Sequence, residues 1–212
     1  MRKVQQRGLP RSGTTMCGKM VEDGWGYNHL VGRRGKRGRT TKHRTVQDSR
    51  DWPLNTVLLI NLKDPYAWIV SWHAWAVQAG HQGTKIPDTK IPFSYGPAKL
   101  GYRIGQYNNF YRAWFKTKYD KAIVRYEDVL ESLDALYAPM TELLGPPKKR
   151  WDALPETIVR PGSTPGGMPQ YKFKRQYYTE KQYLELLKPE HIRQITDQID
   201  WKLFEGLYVP EG

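Results

Sequence analysis

Strand-like and helix-like segments alternate along the chain, which predicts an α/β fold: a single domain with a central, mostly parallel sheet flanked by helices. Three observations carry this. Thr56-Val-Leu-Leu-Ile-Asn-Leu62 is a near-continuous apolar run rich in β-branched residues, the pattern of a strand buried on both faces of a parallel sheet. A glycine-bounded turn, Gly8 to Gly13, directly follows a strand-like segment and directly precedes a helix-like one. A length of 212 residues, with 39% hydrophobic and 26% charged, suits one globular core.

Taken in order, Lys3–Gly8 reads as a short strand that runs into a turn at Leu9-Pro10-Arg11-Ser12-Gly13. A helix follows from Thr14 to Glu22, stopped by Gly24. Gly24 to Arg39 is rich in glycine and basic residues and reads as a loop, and Thr40–Val46 as a second, weakly patterned strand. After the Thr56–Leu62 strand, Pro65 opens a helix through Gln78, proline being well suited to a first turn. Gly80 to Pro97, punctuated by Pro87 and Pro92, reads as loop. An aromatic helix over Leu100 to Tyr119 leads to a strand at Lys121–Arg125, then a helix over Asp128–Leu144 ended by Gly145-Pro146-Pro147. Glu156–Arg160 reads as extended, Pro161–Pro169 as a Gly/Pro loop, and two helices from Thr179 to Leu203 close the chain, Pro189 starting the second. Ligands of such sheets gather beyond the carboxyl ends of the strands. That rule places Leu9–Thr15, Lys63–Ser71 and Tyr126-Glu127-Asp128 around one crevice.

Net charge narrows the partners without naming one. The formal value of +13 predicts attraction to anions: nucleic acid, an anionic surface, a nucleotide or a sulfated glycan. The basic run Arg33–Arg44 is either a solvated loop or a nucleic-acid footprint. No apolar stretch, Val57–Ile60 included, approaches the roughly 18 residues of a membrane-spanning helix. Met1-Arg-Lys-Val-Gln-Gln-Arg7 has the charge of a signal peptide with no apolar region behind it. A single cysteine, Cys17, forms no internal disulfide and suits a reducing compartment. The expectation is a soluble, cytoplasmic protein.

Gly8-Leu-Pro-Arg-Ser-Gly13-Thr14-Thr15 carries the chemistry. Glycines let the backbone wrap an oxyanion, and successive N–H groups at a helix N-terminus bind phosphate with the help of the dipole. The spacing is that of G-x-x-x-x-G-K-[ST], but Thr14 stands where the lysine belongs. An NTP-hydrolysing loop uses that lysine on the β- and γ-phosphates, so this one is poorly equipped for triphosphate chemistry.

On these residues the chain resembles the family of sulfotransferases that use 3′-phosphoadenosine 5′-phosphosulfate (PAPS), whose fold is P-loop NTPase-like. Pro10-Arg-Ser-Gly-Thr-Thr15 is similar to the family's 5′-phosphosulfate loop. Lys63-Asp-Pro-Tyr-Ala-Trp-Ile-Val-Ser71 resembles its 3′-phosphate motif, with lysine in place of the usual arginine; the charge survives and the bidentate fork does not. Val124-Arg-Tyr-Glu-Asp128 resembles the segment whose tyrosine lies by the adenine, and Ile199–Tyr208 the family's C-terminal helix. Met16 stands where many members have an adenine-stacking tryptophan. The resemblance implies PAPS as co-substrate, PAP as product and no metal. The acceptor would be a hydroxyl or amine of a glycan, phenol or other small molecule.

Roles follow in the same terms. Arg11, Ser12, Gly13, Thr14 and Thr15 are expected to cradle the leaving nucleotide and meet the charge on the bridging oxygen. By resemblance Lys63 and Ser71 hold the 3′-phosphate, Tyr126 lies by the base, and His43 of Thr41-Lys42-His43 is the general base, with Glu22 in reserve. His29, His73, His81 and His191 carry no motif, and the five histidines show no metal-ligand spacing. Trp68, Trp72 and Trp75 lie on one helix face and read as core. Tyr102, Phe110 and Trp114 are candidates for an acceptor pocket, and Arg160, Lys172, Lys174 and Arg175 for a basic loop over the nucleotide. The rival readings are a P-loop kinase or NTPase with Asp64 as magnesium ligand, a basic nucleic-acid-binding protein, and an inactive relative with a degenerate site.

Overall fold

Thr56–Leu62 becomes β2, the middle strand of a three-stranded sheet, with every one of its residues buried. The computed structural model describes residues 2–27, 52–77, 93–155, 157–158, 171–172 and 175–211. β2 pairs with β1 (Lys3–Arg7) on one side and with β3 (Asp120–Arg125) on the other, both parallel. The register sets Arg7 opposite Ile60 and Leu62 opposite Arg125, so the three strands end together at one edge of the sheet.

Alternation along β2 feeds two cores. Leu58, Ile60 and Leu62 pack with Tyr66, Trp68, Tyr107, Tyr111, Trp114 and Phe204. These come from α2 (Pro65–Ala76), α3 (Pro97–Phe115) and a 3-10 turn at Trp201–Phe204, with Ile195 of α7 (Pro189–Gln198) in the same cluster. Leu59 faces the other way, among Met16, Met20, Val124, Leu136 and Met140 of α1 (Thr14–Trp25), β3 and α5 (Asp134–Leu144). Helices on both faces explain why β2 has no polar side. The α/β architecture with a small parallel sheet is as expected.

Several boundaries differ from expectation for local reasons. α1 runs past Glu22 to Trp25, because Gly24 stays helical: a Cβ there would come within 3.3 Å of the Lys149 carbonyl. Gly26, at φ 75°, makes the cap instead and donates its N–H to Glu22. α3 starts at Pro97, which occupies a first turn rather than a loop, and stops at Phe115, where Lys121 Nζ donates to the carbonyls of Phe115 and Thr117. The single helix expected after β3 is two, α4 (Tyr126–Glu131) and α5, separated by an extended Ser132 whose Oγ accepts the Asp134 N–H. Thr157–Ile158 (β4) and Tyr171–Lys172 (β5) pair antiparallel in a separate ribbon. The C-terminal helices are shorter than expected: α6 (Arg175–Thr179), a 3-10 turn at Gln182–Leu186, then α7. The expected strand Thr40–Val46 and loop Pro161–Pro169 lie outside the described residues. Among the described residues no helix is long and apolar enough to cross a membrane.

Candidate functional site

Beyond the end of β1 the chain turns twice into the left-handed region, at Arg11 (φ 74°) and Gly13 (φ 77°), with Ser12 at ordinary φ between them. Alternating hand turns successive amides toward one concavity, the geometry of an anion nest. Gly13 is also the N-cap of α1 and has no capping side chain, and the first turn contains no acidic residue. The first amides of a helix have no partner among the helix's own carbonyls. Two glycines are required sterically. A Cβ on Gly8 would lie 2.6 Å from Thr14 Cγ2 and 2.7 Å from Ser12 Oγ, and one on Gly13 would lie 2.3 Å from Tyr126 Cδ2.

Ser12 behaves differently from expectation. It is fully buried, and both its Oγ (2.7 Å) and its N–H (3.2 Å) donate to the Leu9 carbonyl. Its hydroxyl braces the loop and does not open onto the concavity. Gln6 adds a second brace from below, donating from Nε2 to the Thr14 carbonyl and to Asn61 Oδ1, each at 2.6 Å. That bond ties the start of α1 to β2.

Lys63 follows β2 directly, and Ser71 lies on α2. Asp64 N-caps α2, its Oδ1 accepting the Ala67 N–H at 3.0 Å, and Pro65 starts the helix. The intervening two turns of α2 bring Ser71 back over the strand end, where Lys63 Nζ donates to Ser71 Oγ at 3.0 Å. Lys63 is only 2% exposed. Its ammonium lies 3.8 Å from the centre of the Tyr178 ring and 4.6 Å from that of Tyr126, two faces that stabilise a desolvated cation.

Tyr126, the first residue after β3, joins the two groups. One edge of its ring abuts Gly13, Lys63 lies over its face, and Tyr178 meets it perpendicularly at 5.1 Å. Burial first, then Tyr178 and Glu127, hold its phenol well above the ordinary range, with Arg11 pulling the other way. Burial also pushes Tyr178 up, but Lys63, a hydrogen bond from Ser71 and the charge of Arg11 bring it below an ordinary phenol. Arg11 therefore acts electrostatically on both rings. Trp68 Nε1 donates to the Pro10 carbonyl at 2.8 Å and locks the loop to α2.

Behind Lys63 stands a buried acidic pair. Glu127 accepts the Asp64 N–H through Oε1 (3.2 Å) and the Tyr208 hydroxyl through Oε2 (2.8 Å). Burial first, then the neighbouring Glu127, push the Asp64 carboxyl up to about 7; burial also raises Glu127, against the pull of Lys63. Burial thus lets these two acids shed charge readily beside the Lys63 ammonium.

The other expected residues divide as follows. Glu22 lies in the last turn of α1, about 12 Å along the helix axis from Thr14 at 1.5 Å per residue, so the structure does not bring it to the loop. His43, His29, His81, Arg160, Lys174 and the Arg33–Arg44 run lie outside the described residues. Arg175 donates to the Glu131 carbonyl at 3.2 Å, away from Lys63. Trp114 is fully buried and stacks on Arg7 at 4.9 Å, and Phe110 packs against the same core, so these two do not line an open pocket; Tyr102 is 63% exposed. Trp68 is core as expected, while Trp72 and Trp75 continue its stack toward the surface. His73 and His191 pack against Phe93. Among the described residues no group of three or more His, Cys, Asp or Glu is placed to hold a metal ion. Tyr178 was missed by the sequence reading, and its isolated position 52 residues after Tyr126 gave no local signal.

Comparison of the chain with protein-family models, with curated proteins and with solved structures finds no match.

Proposed function

We propose that the chain is a PAPS-dependent sulfotransferase, transferring a sulfuryl group to a hydroxyl or amine of a glycan, phenol or other small molecule. One observation carries the reading. A phosphate-type loop and a separate buried Lys63–Ser71 pair meet at one sheet edge, with Tyr126 wedged between Gly13 and Lys63. A nucleotide with phosphate at both 5′ and 3′ positions needs two anion subsites at fixed separation, whereas a simple triphosphate needs one continuous cradle.

In this reading the α1 amides and Arg11 hold the 5′-phosphosulfate, and Lys63 and Ser71 the 3′-phosphate. As the acceptor oxygen bonds to sulfur, the bond from sulfur to the bridging phosphate oxygen breaks, and charge gathers on that oxygen where the loop's donors are already aimed. The acceptor's proton goes to a base, a role we assign to His43. The kinase reading fares worse: Thr14 replaces the lysine it needs, and Asp64 is committed to capping α2.

Calorimetric titration with PAP, with ATP and AMP as controls, tests the proposal. Selective PAP binding that is lost in Arg11→Ala and in Ser71→Ala is the expected result. Equal affinity for PAP and ATP would overturn it.

A further inference from the structure

Lys63, Ser71 and Tyr178 form a hydrogen-bonded chain with a surplus of donors. Lys63 Nζ lies 3.0 Å from Ser71 Oγ, which lies 3.2 Å from the Tyr178 hydroxyl. A lysine brings three N–H donors and each hydroxyl one more. The bonds among them, one between Lys63 and Tyr178 included, use only part of that capacity, and the ammonium also lies against the ring faces of Tyr126 and Tyr178. A desolvated, donor-rich cluster of this kind is complementary to an acceptor-only group, and a phosphomonoester is the strongest such acceptor.

Tyr178 is held there by more than this chain. Arg175, three residues earlier, anchors α6 to the end of α4 through the Glu131 carbonyl. Tyr177 and Tyr126 meet the Tyr178 ring edge-on at 5.0 and 5.1 Å, which fixes its plane. Its hydroxyl is thus presented rather than free to swing.

Building on the sulfotransferase reading, we propose that Tyr178 is a specificity-determining residue of the Lys63–Ser71 subsite, its hydroxyl binding the 3′-phosphate directly. The reason lies in Lys63. Arginine presents two parallel, directed N–H bonds to a phosphate, whereas lysine is a compact charge with no fixed fork. The Ser71 and Tyr178 hydroxyls, 3.2 Å apart, restore a pair of directed donors beside that charge. When the phosphate binds, the hydroxyl that donates in that bond turns its proton to a phosphate oxygen, and the other hydroxyl donates its own proton beside it. Discrimination of a 3′-phosphate from a 3′-hydroxyl is then divided between charge from Lys63 and direction from Ser71 and Tyr178.

The test compares PAP with AMP, which lacks the 3′-phosphate, on the full chain and on Tyr178→Phe. Phenylalanine keeps the ring over Lys63 and removes only the hydroxyl. The expected result is about tenfold weaker PAP binding, from a lost hydrogen bond to a charged group, with AMP binding unchanged within twofold. A Tyr178→Phe variant that keeps the wild-type ratio of PAP to AMP affinity, including one that weakens both equally, overturns the assignment while leaving the sulfotransferase reading intact. A wild-type chain with no preference for PAP over AMP overturns both.

Discussion

The Gly8–Thr15 loop and the Lys63 cluster are built on opposite plans. The Gly8–Thr15 loop is a backbone device: left-handed turns at Arg11 and Gly13, a hydroxyl at Ser12 turned inward to brace it, and helix amides as donors. The Lys63 subsite is a side-chain device, assembled from α2, α4 and α6 and backed by two buried carboxyls. A backbone device tolerates no added atoms but carries little titratable charge. A side-chain device tolerates shape changes and is sensitive to charge.

The largest effect belongs to the acids behind Lys63. The Asp64 carboxyl is raised from its ordinary 3.8 to about 7. A raised acid favours the folded state when protonated, so its contribution is complete below pH 3.8 and is lost as pH rises through about 7. At 1.36 kcal/mol per pKa unit the loss amounts to about 4 kcal/mol. Asp64→Asn keeps the oxygen that accepts the Ala67 N–H and removes the titration. Urea unfolding from pH 4 to 8 should therefore fall less steeply for Asp64→Asn than for wild type, and parallel curves would show that Asp64 carries no linkage.

Next comes steric intolerance in the loop. An alanine at Gly13 meets Tyr126 Cδ2 at 2.3 Å and must also adopt φ 77°. Left-handed strain of about 1 kcal/mol and overpacking of about 2 kcal/mol together predict a loss of about 3 kcal/mol in unfolding free energy. In a Tyr126→Ala background, which removes the ring, Gly13→Ala should cost only the strain. A Gly13→Ala variant as stable as wild type would mean that the loop is not held in this conformation.

The same contrast decides what was legible in the sequence. The loop could be read because its parts are contiguous: strand, glycines, hydroxyls and helix follow one another from Lys3 to Glu22. β2 could be read because burial on both faces leaves an unbroken apolar run. Lys63 and Ser71 were legible because a helix cap and two turns of helix fix their spacing. Tyr178 was not, since it reaches Lys63 only through the docking of α6 on α4, a long-range packing event without periodic signature. The direction of the Ser12 hydroxyl, toward the Leu9 carbonyl, was not legible because composition reports a hydroxyl but not its orientation. Helix ends failed where two signals competed: Gly24 against Gly26 for the end of α1, and Pro97 as loop punctuation against Pro97 as a first-turn residue.

Removing the charge from the side-chain subsite gives a smaller, more selective loss. Lys63→Met retains much of the apolar stem between the tyrosines and deletes every donor. A hydrogen-bonded charge on a phosphate contributes about 2 kcal/mol, so PAP affinity should fall about 30-fold while AMP affinity changes little. A parallel fall for AMP would place the contribution of Lys63 at the loop rather than at a separate subsite.

The smallest effect separates the two serines. Ser71 Oγ is bonded to Lys63 and Tyr178 within the subsite, while Ser12 Oγ is bonded to Leu9 within the loop. Ser12→Ala removes one internal hydrogen bond yet leaves the Ser12 N–H on the same carbonyl. It should cost about 1 kcal/mol of stability. If the loop binds through its backbone, PAP affinity in Ser12→Ala stays within about twofold of wild type, because the typical net energy of one internal bond is lost equally from the free and bound protein. Calorimetry on Ser12→Ala beside Ser71→Ala makes the comparison direct. A loss of PAP affinity in Ser12→Ala as large as that in Ser71→Ala would mean that the loop also works through side chains, and that the loop and the Lys63 cluster share one plan.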